Sequence, residues 1–124
     1  MKMNPAPNGA GFTLVEIMIV VAIIGLLAAI AIPNFVAARQ NAQAKACINN
    51  LVKIDAAAVQ FAIENGKTTG AGISFPNDLT PYLKLNSAGS IPPCPAGGVY
   101  GCDKVGGQPH CSLGSNVSPA HVMP

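Results

Sequence analysis

From Ile17 to Ile32 the chain carries sixteen residues without a charged or polar side chain. No other feature restricts the fold so severely. The core helix of a soluble protein keeps one polar face, and this run has none. Extended back to Phe12 it covers twenty-one residues, about 31 Å of helix and enough to cross a bilayer. The segment is therefore expected to be a membrane helix or a targeting signal. One residue breaks the pattern: Glu16, almost at its start. An ionised carboxylate in hydrocarbon is costly unless a partner offsets its charge.

Two processing schemes treat Glu16 differently. A secretory signal peptide would be cut after Ala29-Ile30-Ala31, releasing a secreted, disulfide-bonded binding domain. That scheme leaves Glu16 without a purpose, in a leader whose first eleven residues hold one lysine, Lys2. A cut between Gly11 and Phe12 instead creates an ammonium on Phe12. It stands four residues from Glu16, the spacing of helical neighbours. It can equally meet the Glu16 of an adjacent subunit when the helices stack with an offset of one turn. Either pairing supplies the opposite charge a buried acid needs. The helix N-terminus favours a carboxylate as well, through its dipole.

Residues 11 to 16 read GFTLVE and run straight into the apolar segment. This resembles the processing signature of type IV pilins and of their relatives, the type II secretion pseudopilins. The resemblance implies that Gly11 is the last leader residue and Phe12 the mature N-terminus. Phe12 would be N-methylated by a prepilin peptidase, and Glu16 would pair with a neighbouring subunit's Phe12 amine during assembly. Methylation keeps the amine charged. The chain departs from many relatives at Asn8, Gly9 and Ala10, where Lys or Arg is common. The resemblance further implies a single-pass subunit of the bacterial inner membrane. Its partners would be lipid, the peptidase, the assembly machinery and, in a periplasmic or extracellular filament, copies of itself. A pilus-like filament is the expected role and a secretion pseudopilin the alternative; neither needs a cofactor or enzymatic activity.

Beyond the apolar run, Pro33 removes one helical hydrogen bond and Gly25 is a weak helix former. The helix is nevertheless expected to continue, because residues 34 to 65 contain neither Gly nor Pro and are rich in alanine. Ala44, Cys47, Leu51, Ile54, Ala58 and Phe61 recur at spacings of three and four, one apolar stripe. Arg39, Gln43, Lys53, Gln60 and Glu64 mostly fall off it. Asn65-Gly66 reads as the helix stop. The expected class is α+β and pilin-like. One helix spans about residues 12–65, transmembrane in its N-terminal half and packed on a small C-terminal antiparallel lobe. The segments are a leader 1–11, a membrane and filament-core segment 12–33, an amphipathic segment 34–66 and a Gly/Pro-rich lobe 67–124.

The ten glycines and eight prolines from residue 66 onward limit how much apolar area the lobe hides, so it needs the helix stripe and a covalent staple. Leu79, Tyr82 and Leu83 are expected to point inward. Val99-Tyr100 and Val105 flank Gly101-Cys102-Asp103-Lys104 as the strands of a hairpin would. A turn centred on Cys102 and Asp103 sets Cys94 opposite Cys111, the expected disulfide, with Cys47–Cys94 as a competing pair. The stretches CPAGGVY and PHCS also resemble a C-terminal pattern of some bacterial prepilin-type proteins.

Other chemistry finds little support. His110, Cys111, His121 and Cys102 lack CxxC, HxxxH and CxxCH spacing, so no metal is expected. Ser112, His121 and Asp103 have no triad context. Asn116-Val117-Ser118 is a bare glycosylation sequon. A single carboxylate, Asp103, argues against a calcium loop. Half of the 124 residues are apolar and a tenth charged, with a net charge of +2 from seven scattered bases set against five acids. No clustered basic face points to nucleic acid.

Overall fold

The computed structural model describes Lys2, Met3, Gly9 and residues 11–124. Most of the expected leader, including Asn8 and Ala10, lies outside the described residues. The elements are one helix, α1 (Leu14–Glu64), a short 3-10 turn (Thr80–Tyr82) and two strands, β1 (Tyr100–Gly101) and β2 (His110–Cys111). This is the expected α+β arrangement. The chain divides into two compact units, one ending at Val36 and the other running from Ala37 to Pro124.

In the first unit α1 is apolar on every side and uncovered. Leu14, Leu26, Leu27, Ile30 and Ile32 are all exposed, and the segment is long and apolar enough to cross a membrane. Pro33 lies inside α1, as expected, and does not end it. A buried α-helix in a soluble domain would hide half of these side chains; here their partners must be lipid or other protein.

In the second unit the expected stripe is the core. Ala44, Cys47, Leu51, Ile54, Ala58 and Phe61 are buried, joined by Ala57 and Ala62. Arg39, Lys53, Gln60 and Glu64 are exposed. Leu79, Cys94, Tyr100, Cys102, Val105 and Cys111 cover the stripe from the lobe. Leu79 is fully buried, while Tyr82 and Leu83 are half-buried against the same cluster. The Tyr82 ring meets Phe61 edge-on at 6.4 Å, and its hydroxyl donates to Glu64 Oε2 at 2.7 Å. That bond to a carboxylate, with burial secondary, raises the Tyr82 pKa.

α1 ends where the sequence places the stop. Gly66 has φ +63°, the Lys67 N–H donates to the Ala62 carbonyl at 2.9 Å, and Asn65 Nδ2 donates to the Phe61 carbonyl at 2.9 Å. This is a Schellman closure, and it needs a left-handed residue. A Cβ at Gly66 meets no atom within 4 Å, so only backbone strain opposes a side chain. Gly66→Ala is expected to cost about 1 to 2 kcal/mol, and Gly66→Asn clearly less. Thermal melts of both variants check this; equal melting temperatures for alanine and asparagine would contradict it.

The hairpin differs from expectation. Tyr100 pairs with Cys111 and Gly101 with His110, so Cys94 does not face Cys111 across a ladder. The reason is a competing partner. The expected turn region bonds elsewhere: the Ile73 N–H donates to the Asp103 carbonyl and the Val105 N–H to the Ala71 carbonyl. Gly72 and Lys104 form an antiparallel bridge. The reversal falls later, at Gly106 (φ +77°), where the Gly107 N–H closes on the Lys104 carbonyl at 3.1 Å. A positive φ at the third turn position favours glycine, and the glycine pair sets the turn.

Candidate functional site

The first candidate site is the start of α1. The Thr13 N–H donates to Glu16 Oε2 at 2.9 Å, and the Glu16 N–H donates to Thr13 Oγ1 at 3.2 Å. Threonine and glutamate three residues apart thus satisfy each other's backbone groups, a capping box. Sequence reasoning placed Glu16 near the dipole but missed Thr13 as its partner, although the T-x-x-E spacing carried that signal. Phe12 is 85% exposed, directly before the box. Gly11 is exposed, with no atom within 4 Å of its Cβ position. The Gly11–Phe12 bond, the capped acid and the uncovered apolar helix therefore follow one another along the chain.

The second is a knot of sulfur. All four cysteines are free and buried. Cys47 Sγ, Cys94 Sγ, Cys111 Sγ and a His121 ring nitrogen all lie within 4.8 Å of one another. The Cys94 Sγ to His121 Nδ1 distance is 3.4 Å. So the structure does bring the expected pair, Cys94 and Cys111, together, by tertiary packing rather than by strand register. It adds Cys47 and His121, which spacing rules did not reveal. Cys102 is buried apart, where burial and the Asp55 and Asp103 carboxylates favour its thiol form. His110 and Ser112 are exposed on or beside β2.

The four donors differ electrically. Burial pushes the Cys94 thiol up, but N–H groups of Ala96 and Gly98, with the Cys47 and Cys111 thiols, outweigh it and hold the pKa below 9.0. Burial, then hydrogen bonds with Cys94 and Cys111, push Cys47 up to about 12. The CPAGG turn presents Cys94 through a Gly97 N–H to Cys94 carbonyl bond of 2.9 Å with Gly97 at φ +90°. Gln43, one turn before Cys47 on α1, donates from Nε2 to the Pro95 carbonyl at 3.4 Å. At Gly98 any Cβ would collide with Cys111 Sγ. That glycine admits the sulfur.

The family model for the prokaryotic N-terminal methylation motif matches residues 7–32, which contain Gly11, Phe12 and Glu16. The chain is 46% identical over 61 residues to the type IV major pilin protein PilA of Myxococcus xanthus, covering 49% of this chain and 28% of that protein. It is 43% identical over 65 residues to the type IV wide pilus major component PilA4 of Thermus thermophilus, covering 50% and 47%. It is 29% identical over 99 residues to the type II secretion system core protein G of Klebsiella michiganensis, covering 73% and 70%. The chain is thus similar to type IV major pilins and to type II secretion core proteins. It spans less than half the length of either pilin. No solved structure matches it.

The match to the methylation motif contains the residues of the first site and stops short of the second. Cys47, Cys94, Cys111 and His121 all lie beyond residue 32, outside the matched motif. The sulfur knot thus joins α1, through Cys47, to three residues of the lobe.

Proposed function

We propose that the chain is a structural subunit of a type IV pilus-like filament. A prepilin peptidase removes residues 1–11 by cutting between Gly11 and Phe12 and methylates the Phe12 amine. Residues 12–33 then hold the subunit in the bacterial inner membrane, 34–66 form the spine of the lobe outside it, and 67–124 the lobe. On assembly the apolar segment leaves lipid for contact with copies of itself, and the finished filament lies in the periplasm or beyond the cell. Glu16 pairs with the Phe12 amine of a neighbouring subunit and sets the axial register. The role is mechanical and involves no catalysis by this chain; the assembly machinery of the inner membrane acts on it.

One observation carries this reading. An apolar helical segment with no buried side chain follows directly on Gly11-Phe12 and is capped by the single acid of the segment. A helix built to stay in lipid needs no such acid; a helix built to be handed to its copies needs a directional contact. The pseudopilin alternative has its own support, since the secretion protein of K. michiganensis is matched over the larger share of its length. Against a major pseudopilin stands the single carboxylate of the 101–104 stretch.

Processing is tested by mass spectrometry of the purified protein. Removing 11 residues from 124 leaves an expected chain of 113, starting at a methylated Phe12. A chain starting at Ile32 would establish secretory cleavage after Ala31 and end the filament reading.

A further inference from the structure

The sulfur knot holds more than a disulfide requires. A single bond between Cys94 and Cys111, or between Cys47 and Cys94, uses two of the three sulfurs. It leaves a third thiol and a buried imidazole without employment. His121 is 3% exposed and is the one buried polar or charged residue among the described residues. Burying an imidazole is costly unless its ring finds a partner, and its Nδ1 faces Cys94 Sγ. Three thiols and one imidazole converging in a dry pocket form one of the standard structural zinc donor sets.

The geometry points to a closed zinc site formed by Cys47, Cys94, Cys111 and His121. The four donor atoms already lie within 4.8 Å of one another. Tetrahedral zinc, with Zn–S bonds of about 2.3 Å, spaces its sulfurs about 3.8 Å apart. Side-chain adjustments of about 1 Å reach that arrangement. Soft sulfur donors select zinc over magnesium or calcium. Four protein donors fill the coordination sphere and leave no position for water, so the role is structural. On binding, the thiols lose their protons to solvent and His121 binds through Nδ1 with its proton on Nε2.

The surroundings are built for this purpose. The donors come from four separate stretches: α1, the CPAGG turn, β2 and the C-terminal tail. The turn is hooked to α1 through Gln43, Gly98 makes room for the Cys111 sulfur, and the backbone N–H of His121 donates to the Gly114 carbonyl at 2.7 Å. One ion would tie the tail and both lobe segments to the helix. It replaces the covalent staple that a Gly/Pro-rich lobe was expected to need.

Cobalt(II) titration of the full chain, purified in detergent under reducing conditions, tests this. The expected result is one cobalt per chain with thiolate charge-transfer bands and the intense visible spectrum of a tetrahedral ion, displaced by zinc. His121→Ala and Cys47→Ser should each weaken binding by about 100-fold or more, beyond the loss typical of disturbing an outer-shell partner. Cys102→Ser, whose sulfur lies outside the knot, should bind as the unaltered chain does. Since variants can misfold, the spectrum of the unaltered chain decides by itself. A weak octahedral spectrum, or none, overturns the proposal. So does a Cys94–Cys111 or Cys47–Cys94 disulfide in zinc-free protein recovered without reductant.

Discussion

A strain carrying Glu16→Gln is expected to make normal amounts of subunit, process it at Gly11 and assemble almost no filaments. Glutamine is the informative substitution because the structure shows what glutamate does within its own chain. Glu16 accepts from the Thr13 N–H, and a glutamine oxygen serves equally in a capping box. The cap therefore survives. What remains of the dipole effect is worth about 1 kcal/mol or less, too little to unfold a 51-residue helix. Removing the charge also eases insertion into lipid. Only the proposed pairing with a neighbour's Phe12 amine is lost, which in that reading is the directional contact on an otherwise uniform apolar surface. Electron microscopy of filaments, set against subunit levels from the same cells, decides the matter. Normal filament numbers would reduce Glu16 to a helix cap.

Leu51→Ala should destabilise the lobe by about 3 to 5 kcal/mol, the cost of deleting a buried leucine and leaving a cavity. Leu51 is 0% exposed and sits in the middle of the stripe, one turn beyond Cys47. The second unit is small, and domains of its kind hold only about 5 to 15 kcal/mol in total. The loss is therefore a large share of the whole. Val52→Ala, one residue along and half-exposed, should cost less than about 1 kcal/mol. Denaturant unfolding of the full chain in detergent, followed by tyrosine fluorescence, gives both values. A Leu51 variant as stable as the Val52 variant would mean that the stripe is not the core. Zinc in saturating amount should recover part of the lost stability, because an ion bound by the folded state alone stabilises it.

What the sequence determined by itself was whatever depends on neighbours along the chain. A helix repeats every 3.6 residues, so Ala44, Cys47, Leu51, Ile54, Ala58 and Phe61 announced one buried face without any knowledge of what covers it. The uninterrupted apolar run announced a surface with no aqueous partner, and Asn65-Gly66 announced the stop. The acid of GFTLVE was legible for the same reason, since a cap and a cleavage motif are both local. Tertiary structure alone decided the lobe. The 101–104 stretch reads as a turn in isolation, but Gly70–Ile73 competes for its backbone groups and moves the reversal to Gly106. The sulfur knot was out of reach for the same cause. Its donors are separated along the chain by 47, 17 and 10 residues, so no spacing rule unites them. They meet because the helix stripe, the CPAGG turn, β2 and the tail bury against one another, and burial brings residues together without regard to their distance in sequence.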